Sequence, residues 1–139
     1  MAEAEFSAGG VVVNDAGEVI VIVPTRRAAD GSAVLALPKG HPDGDETAAD
    51  AALREVREET GVAAELVEQL GEVRYVYQRS GRRIAKAVAF FLLRYTSGDL
   101  EDHDDEVEVA RWMPAAEAAE ALSYEGEREM VRRALARLG

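Results

Sequence analysis

The sequence predicts an α/β fold in which helices flank a mixed β-sheet, forming an α/β/α sandwich. Runs of β-branched residues separated by turn residues indicate strands near both the beginning and the end of the chain. An amphipathic helix lies between those strands, and further helical stretches follow near the end of the chain. Alternation of strands and helices is typical of a sheet that is covered on both faces.

The first part of the predicted sheet is a hairpin. Residues 9–13 and 19–23 are apolar, β-branched runs, and residues 14–17 between them have the composition of a tight turn. After a second glycine-containing turn, residues 34–37 are predicted to form a strand, and Pro38 then directs the chain into a glycine-containing loop. The loop is therefore expected to connect a strand to a helix.

The helix that follows this loop has recognisable ends. Thr47 and Asp50 have the spacing of a capping box, with Asp in place of the usual Glu or Gln, and Gly61 is a typical C-terminal stop. The apolar residues between these ends fall on one stripe at helical spacing. They are Ala49, Ala52, Leu53 and Val56.

The second half of the chain is predicted to contain the centre of the sheet and two more helices. Residues 84–95 form a nearly continuous apolar stretch, which is typical of a strand buried on both faces. Pro114 is expected at the first position of a helix, where proline is favoured. The other predicted elements are extended segments at 63–70 and 72–78, a turn at 80–81, a polar loop at 97–105, a strand at 106–113, and helices at 115–122 and 127–138.

Length and composition limit the class of protein. The chain has 139 residues, which predicts one domain over residues 1–139 with a substantial apolar core. It has no cysteine, which excludes disulfides, thiolate metal sites and cysteine nucleophiles. The net charge of −11 argues against stable binding to nucleic acid or anionic membranes. The N-terminus lacks a signal-peptide pattern and no apolar run could span a bilayer, so we expect a cytoplasmic protein. The sequence leaves open whether it is a monomer or a homodimer.

Acidic side chains cluster on the polar side of the first helix. Glu55, Glu58 and Glu59 have the spacing i, i+3, i+4, at which Cβ atoms lie about 5–6 Å apart and the carboxylates repel one another unless a cation is present. Mg²⁺ prefers carboxylate oxygens together with water and phosphate, so this cluster suits a complex of metal and diphosphate. The alternative is a solvated surface helix in which Arg54 and Arg57 pair with these acids.

Residues 40–62 match a family pattern. Their sequence, GHPDGDETAADAALREVREETGV, fits the Nudix box Gly-x5-Glu-x7-Arg-Glu-U-x-Glu-Glu-x-Gly-U, with U apolar. The specified positions are Gly40, Glu46, Arg54, Glu55, Val56, Glu58, Glu59, Gly61 and Val62. The chain therefore resembles the Nudix hydrolases, which use Mg²⁺ or Mn²⁺ to cleave nucleoside diphosphates linked to another moiety. The resemblance implies the Nudix-type α/β/α sandwich and a metal-dependent pyrophosphohydrolase acting on a small nucleotide.

The resemblance also implies roles for individual residues. Glu58 and Glu59 are the expected metal ligands, and Glu55 is either a third ligand or the group that activates water. The backbone carbonyl of Lys39, just before the box glycine, is expected to bind metal as well. Arg54 is expected to orient the neighbouring glutamate.

A further glutamate after the box completes the site in many members of the family. Glu106 is our candidate in the acidic segment 102–108, against the alternative that this segment is a solvated loop. Glu46 is expected either to support the loop or to act only on the helix dipole. His41 is expected to contact phosphate, and neither it nor His103 has an orienting partner in the sequence that would favour a general base.

Basic and aromatic residues after the box are candidates for binding substrate. Lys86, with Arg82 and Arg83 behind it, is expected to contact phosphate, and a charged turn is the alternative. Tyr77 and Tyr75 alternate along one strand face, where an aromatic ring can either stack on a purine or pack in the core.

The substrate expected first is diadenosine tetraphosphate or a longer relative, cleaved by water to ATP and a second nucleotide such as AMP. Residues 37–41, Leu-Pro-Lys-Gly-His, and residues 84–95 are similar to the diadenosine polyphosphate hydrolases. Lys39, a second expected phosphate contact, stands where many nucleotide-sanitising members have glycine. The alternatives are oxidised dNTPs, diphosphoinositol polyphosphates, capped RNA ends, or a sensing module that binds nucleotide without turnover.

Overall fold

The computed structural model describes residues 3–138, which form a six-stranded sheet with helices on both faces. No helix within this range has the length and apolarity that a bilayer span requires. The elements are β1 (Glu3–Val13), β2 (Glu18–Pro24), β3 (Lys39–Gly40), α1 (Ala48–Thr60), β4 (Val62–Arg79), β5 (Arg82–Gly98), a short 3₁₀ helix (Leu100–Asp102), β6 (Val107–Pro114), α2 (Ala115–Ala121) and α3 (Glu125–Leu138).

The sheet is mixed, as predicted. Its strand order is β4-β5-β1-β2-β6, and the short strand β3 pairs with β1 beside this path. Strands β1 and β5 run parallel, with Ala8 opposite Ala89, whereas the other neighbouring pairs are antiparallel. The apolar stretch of β5 is buried on both faces, as expected for a central strand.

A separate apolar cluster covers each face of the sheet. On the face that we name the α1 face, Val56 of α1 belongs to the same cluster as Phe91. On the opposite face, which we name the α3 face, Met130 of α3 clusters with Phe90. Successive residues of β5 thus alternate between the two clusters, as strand geometry requires. The predicted α/β/α sandwich is confirmed.

Helix α1 has the ends that the sequence predicts. The Thr47 hydroxyl accepts a hydrogen bond from the backbone N–H of Asp50 at 3.1 Å, which caps the N-terminus. Gly61 adopts a left-handed φ of 77°, and its N–H donates to the carbonyl of Arg57 at 2.9 Å. These ends fix the helix with Val56 in the core and the acidic side chains outside it.

The prediction of a strand at residues 34–37 is wrong. Ala36 forms only an isolated bridge with Ile22 of β2. On the other side of the segment, the N–H of Leu37 donates to Oε1 of Glu127 in α3 at 2.8 Å. The side chain of Glu127 therefore accepts a backbone hydrogen bond that a neighbouring strand would otherwise accept.

Other boundaries also differ from the prediction. The extended segments at 63–70 and 72–78 belong to one strand, β4, whose register shifts at three places, the last of them between Gln69 and Gly71. Glu106 lies just outside β6, and Pro114 caps α2 instead of opening its first turn. Irregular pairing and capping of this kind depend on tertiary contacts, which local patterns do not report.

Candidate active site

The acidic side of α1 lies against the strand that precedes it. Gly40 in β3 packs so closely on Glu55 that a Cβ added at Gly40 would lie 1.3 Å from Oε2 of that carboxylate. Pairing with β1 holds this segment in place, with Gly40 opposite Ala8 and Lys39 opposite Gly9. Glycine is therefore needed at position 40 because the Glu55 carboxylate occupies the space of a side chain.

Glu59 is tied to the same segment. The backbone N–H of Lys39 donates to Oε1 of Glu59 at 2.7 Å. Burial raises the pKa of the Glu59 carboxyl to about 8, although the hydrogen bond from Lys39 acts to lower it. The charges of Glu55 and Asp104 act in the same direction as burial. A cation at this position would remove the electrostatic cost of the ionised form.

Glu55 has a similar environment. Burial raises the pKa of its carboxyl to about 7, against the opposing charge of Arg54. The negative charges of Glu58 and Glu106 also raise the pKa of Glu55. The structure therefore brings Glu106, from the loop before β6, close enough to Glu55 for their charges to interact.

Arg54 connects the helix to the loop before it. Its guanidinium donates to both carboxylate oxygens of Glu46, at 2.9 and 3.0 Å, and to the backbone carbonyl of His41 at 2.9 Å. The remaining nitrogen donates to Glu58 one turn along the helix, at 3.0 Å. The hydrogen bonds from Arg54 and from the Asp43 N–H both lower the pKa of Glu46. Glu46 thus supports the loop through Arg54.

The donor set of α1 fits a hard divalent cation. Glu55, Glu58 and Glu59 offer only carboxylate oxygens, which are the ligands that Mg²⁺ and Mn²⁺ prefer. Within residues 3–138 no group of three acidic or histidine side chains already converges as a metal site, and Glu58 is turned toward Arg54. Metal binding by all three would therefore require Glu58 to change its side-chain orientation, whereas Glu59 keeps its hydrogen bond to the Lys39 N–H.

The side chain of Lys39 reaches the opposite face of the sheet. Its Nζ donates to Oε2 of Glu127 at 2.9 Å and lies 5.8 Å from the ring centroid of Tyr124. Burial acts to lower the pKa of Lys39, but the charge of Glu127 and the hydrogen bond to it raise that pKa overall. The ammonium group is therefore kept in its charged form.

Other basic and aromatic residues surround this lysine on the α3 face. Lys86 of β5 pairs with Tyr75 of β4, a residue that is 43% exposed. Burial lowers the pKa of Lys86, and the charges of Lys39 and Arg26 lower it further. We name Arg26, Lys39, Tyr75 and Lys86 the cationic surface. It offers positive charge and one accessible ring within an otherwise acidic protein.

The match to a known protein family extends over most of the described residues. The model of the NUDIX domain family matches residues 5–134. The chain belongs to the Nudix family. Members of this family generally use divalent metals, and the Nudix domain described above has the oxygen ligands for such an ion.

Several named relatives share more than 30% sequence identity with this Nudix domain. MutT4 of Mycobacterium tuberculosis, named as a mutator protein, is 38% identical over 132 residues, covering 91% of this chain and 52% of MutT4. The 8-oxo-(d)GTP phosphatase of Mycolicibacterium smegmatis is 34% identical over 90% of this chain and 36% of that protein. The asymmetrical bis(5′-nucleosyl)-tetraphosphatase of Rattus norvegicus is 32% identical over 71% of this chain and 68% of that protein. The chain spans about half of the first relative and about a third of the second.

Solved Nudix structures share the fold. A NUDIX hydrolase from Nitrosomonas europaea superposes with a TM-score of 0.76 at 20% identity, covering 97% of this chain and 90% of that one. Its mixed sheet and flanking helices correspond to those of this Nudix domain.

The Nudix domain separates three basic residues that the sequence predicts to act together. Arg82, at the end of the β4–β5 hairpin, forms an ion pair with Glu3. Arg83 lies on the α1 face because strand residues alternate, whereas Lys86 lies on the α3 face. Lys86 therefore lies with Lys39, and the expectation that Lys86 contacts phosphate with Arg82 and Arg83 behind it stays a prediction.

His41 and Tyr77 are both engaged with β1. Nδ1 of His41 lies 3.0 Å from the carbonyl oxygen of Phe6, which leaves Nε2 as its nitrogen for any contact with phosphate. The Tyr77 hydroxyl donates to Glu5, which fixes the edge of that ring. Tyr75 is thus the more accessible of the two tyrosines predicted to stack on a base. Nδ1 of His103 lies 2.9 Å from the carbonyl oxygen of Asp104, and the exclusion of His103 as a general base stays a prediction.

Sequence reasoning missed Glu127 and Asp104. Glu127 shares a helical stripe with Met130, Val131 and Ala134, all of which are buried. An acid on an apolar stripe is a usable signal, because a buried carboxylate is costly unless it has a partner. For Asp104 there is no comparable signal, since it is one of several acids in a polar loop.

Proposed function

We propose that this Nudix domain hydrolyses a phosphoric anhydride bond in a nucleotide with the help of Mg²⁺ or Mn²⁺. The observation that carries the proposal is the pair of partly buried carboxylates, Glu55 and Glu59, whose pKa values are raised beside Gly40. Groups with strongly perturbed pKa values are typical of active sites. The cationic surface lies on the α3 face and is linked to the acidic face of α1 through Lys39, so it offers positive charge to phosphates that extend past this residue.

In this proposal different glutamates of α1 bind the metal and accept the proton. Glu58 and Glu59 would hold the cation together with the carbonyl of Lys39, and Arg54, which contacts both Glu55 and Glu58, would orient these carboxylates. A bound divalent ion would lower the pKa of a water molecule and offset charge on the leaving phosphate. Glu55 either serves as a third ligand or accepts the proton of the attacking water.

The chemical step is a substitution by water at phosphorus. A bond forms between the water oxygen and phosphorus, the bridging P–O bond breaks, and the leaving phosphate departs with the bonding electrons. The proton passes to a carboxylate. Glu55 is the first candidate for this carboxylate, because it lies against Gly40 on the acidic face of α1 and is partly buried. Glu106, near Glu55, is the second candidate for this base.

We propose an oxidised nucleoside triphosphate of the 8-oxo-(d)GTP type as the first substrate to consider. The two relatives with the highest identity reported above, a mutator protein and an 8-oxo-(d)GTP phosphatase, support it. Diadenosine polyphosphates are the substrates expected first from the sequence, and this specificity is unconfirmed. The rat tetraphosphatase and the lysine at position 39 support the dinucleotide as the second candidate.

Product analysis separates these two substrates. Purified protein with Mg²⁺ would be incubated with 8-oxo-dGTP, dGTP and diadenosine tetraphosphate at equal concentrations. We expect 8-oxo-dGMP and pyrophosphate from the first substrate, with the highest kcat/KM. ATP and AMP formed faster from the dinucleotide would reverse the order of the two candidates.

A matched pair of variants tests the site independently of the substrate. Glu58→Gln removes one charge from a solvent-facing ligand and is expected to abolish most Mg²⁺-dependent turnover without unfolding the protein. Glu125→Gln, an exposed acid in the first turn of α3, is the control. Binding of nucleotide by the wild-type protein without turnover of any substrate would instead favour the sensing module.

A further inference from the structure

A chain of hydrogen bonds connects α3 to the acidic face of α1 through the sheet. Glu127 of α3 accepts hydrogen bonds from the N–H of Leu37 at 2.8 Å and from Nζ of Lys39 at 2.9 Å. The backbone N–H of Lys39 in turn donates to Oε1 of Glu59 at 2.7 Å. A single short segment, residues 37–39, is thus held from one helix and holds a carboxylate of another.

The carboxylate of Glu127 is unusual in its burial. The residue is only 4% exposed and packs among the apolar residues of the α3 face. Both of its carboxylate oxygens accept hydrogen bonds from the segment at 37–39. A buried carboxylate is retained at this cost only with such partners, and removing the partners would leave an unpaired charge. Leu37 depends on the contact too, because its N–H has no strand to bond to at this position.

We propose that Glu127 is a positioning residue for the metal site, acting through Lys39 on Glu59. The proposal rests on the proposed function, since it assumes that Glu59 binds a cation. Glu127 fixes the backbone and the side chain of residues 37–39, so that the Lys39 N–H occupies one oxygen of Glu59 and orients the carboxylate for metal. Groups that orient metal ligands typically change metal affinity about 10- to 100-fold when they are removed.

Glu127→Gln and Glu125→Gln form a matched pair for testing this role. Both are the same substitution in the first turn of α3, but Glu125 pairs with Arg128 and Arg132 at the surface. Glutamine at 127 keeps an acceptor for the Leu37 N–H and loses the charge that holds Lys39, so the variant is expected to fold. Mn²⁺ binding would be measured by electron paramagnetic resonance without any substrate. We expect E127Q to bind Mn²⁺ about tenfold more weakly than wild type, and E125Q to bind it equally well.

Amide hydrogen exchange gives a second reading in the metal-free protein. The Lys39 N–H is expected to exchange at least about tenfold faster in E127Q than in E125Q, whereas core amides of β5 stay equally protected. If Glu127 only stabilised the fold, its substitution would raise the exchange rates of all of these amides together. Unchanged Mn²⁺ affinity and unchanged exchange at Lys39 in folded E127Q would overturn the proposal.

The outcomes separate this proposal from the function on which it rests. If wild-type protein binds Mn²⁺ and Glu59→Gln does not, but no nucleotide is cleaved, the proposed activity fails while the role of Glu127 is still decided by Mn²⁺ affinity. If hydrolysis proceeds and E127Q binds Mn²⁺ as wild type does, Glu127 has no positioning role.

Discussion

Arg54 and Glu46 form two parallel hydrogen bonds, from Nε and one Nη to the two carboxylate oxygens, at 2.9 and 3.0 Å. This geometry uses the planar guanidinium, which lysine lacks. The other end of the same guanidinium reaches Glu58 at 3.0 Å. The guanidinium of Arg54 therefore bonds both to the loop before α1 and to the acidic face of α1.

Arg54→Lys is expected to lower kcat/KM at least about tenfold and to reduce the melting temperature, because one ammonium group cannot bond Glu46 and Glu58 together. Arg57→Lys, an exposed position on the same helix, is the control. Steady-state kinetics and thermal unfolding measure the two effects. Equal activity of the two variants would mean that the hydrogen bonds from Arg54 to Glu46 and Glu58 are not needed for catalysis.

Gly40→Ala is expected to reduce activity about 100-fold, since a Cβ at this position would lie 1.3 Å from Oε2 of Glu55 and displace that carboxylate. Gly44→Ala introduces the same methyl group where no heavy atom lies within 4 Å, although its φ of +53° adds backbone strain. The control should therefore lose stability but keep its turnover number. Wild-type kcat in Gly40→Ala would show that the position of Glu55 does not matter.

Metal-free protein is expected to lose stability as the pH rises from about 5 to 8. Both carboxyls have a pKa of 4.5 in the absence of the fold, and the fold raises the values to about 7 for Glu55 and about 8 for Glu59. The native state thus binds more protons than the unfolded state within this window, so the free energy of unfolding falls with pH.

Glu59→Gln isolates the contribution of one of these groups. In EDTA at pH 8 the variant is expected to melt above wild type, because glutamine keeps an acceptor for the Lys39 N–H without a buried charge. The difference should shrink toward pH 5, and excess Mg²⁺ should stabilise wild type only. A wild type that melts above the variant at pH 8 in EDTA would contradict the raised pKa.

Lys86→Gln is expected to raise KM for a nucleoside triphosphate about tenfold with little change in kcat, because it removes one charge from the cationic surface and none from α1. Arg82→Gln is the control, since Arg82 is paired with Glu3 at the hairpin end. Initial rates over a range of substrate concentrations provide both constants. An equal increase of KM in both variants would mean that general surface charge is responsible.

The sequence predicts best the parts of the fold whose signals are local. The ends of α1 follow from Thr47 and Gly61, and both caps are present. The alternation of apolar residues in β5 and the placement of the acids on α1 also depend only on residue spacing. The layers of the sandwich and the acidic face of the helix could therefore be predicted without long-range information.

The errors occur where distant residues replace a local partner. At residues 34–37 the backbone bonds to Ser123 and Glu127, which lie 88 and 90 residues away from Leu35 and Leu37. No spacing rule connects such positions. The grouping of Arg83 with Lys86 is a different error, because the alternation of strand residues already places positions three apart on opposite faces of the sheet.

The hydrogen bond between Leu37 and Glu127 also constrains the order in which parts of the chain can reach their native structure. Helix α1 and its caps are formed from neighbouring residues and can appear early during synthesis. The segment that bonds Glu59 gains its anchor only after α3 has left the ribosome, because the anchor lies 90 residues downstream of Leu37. A nascent chain that ends before Glu127 therefore carries every glutamate of the box and still lacks the contact that fixes one of them.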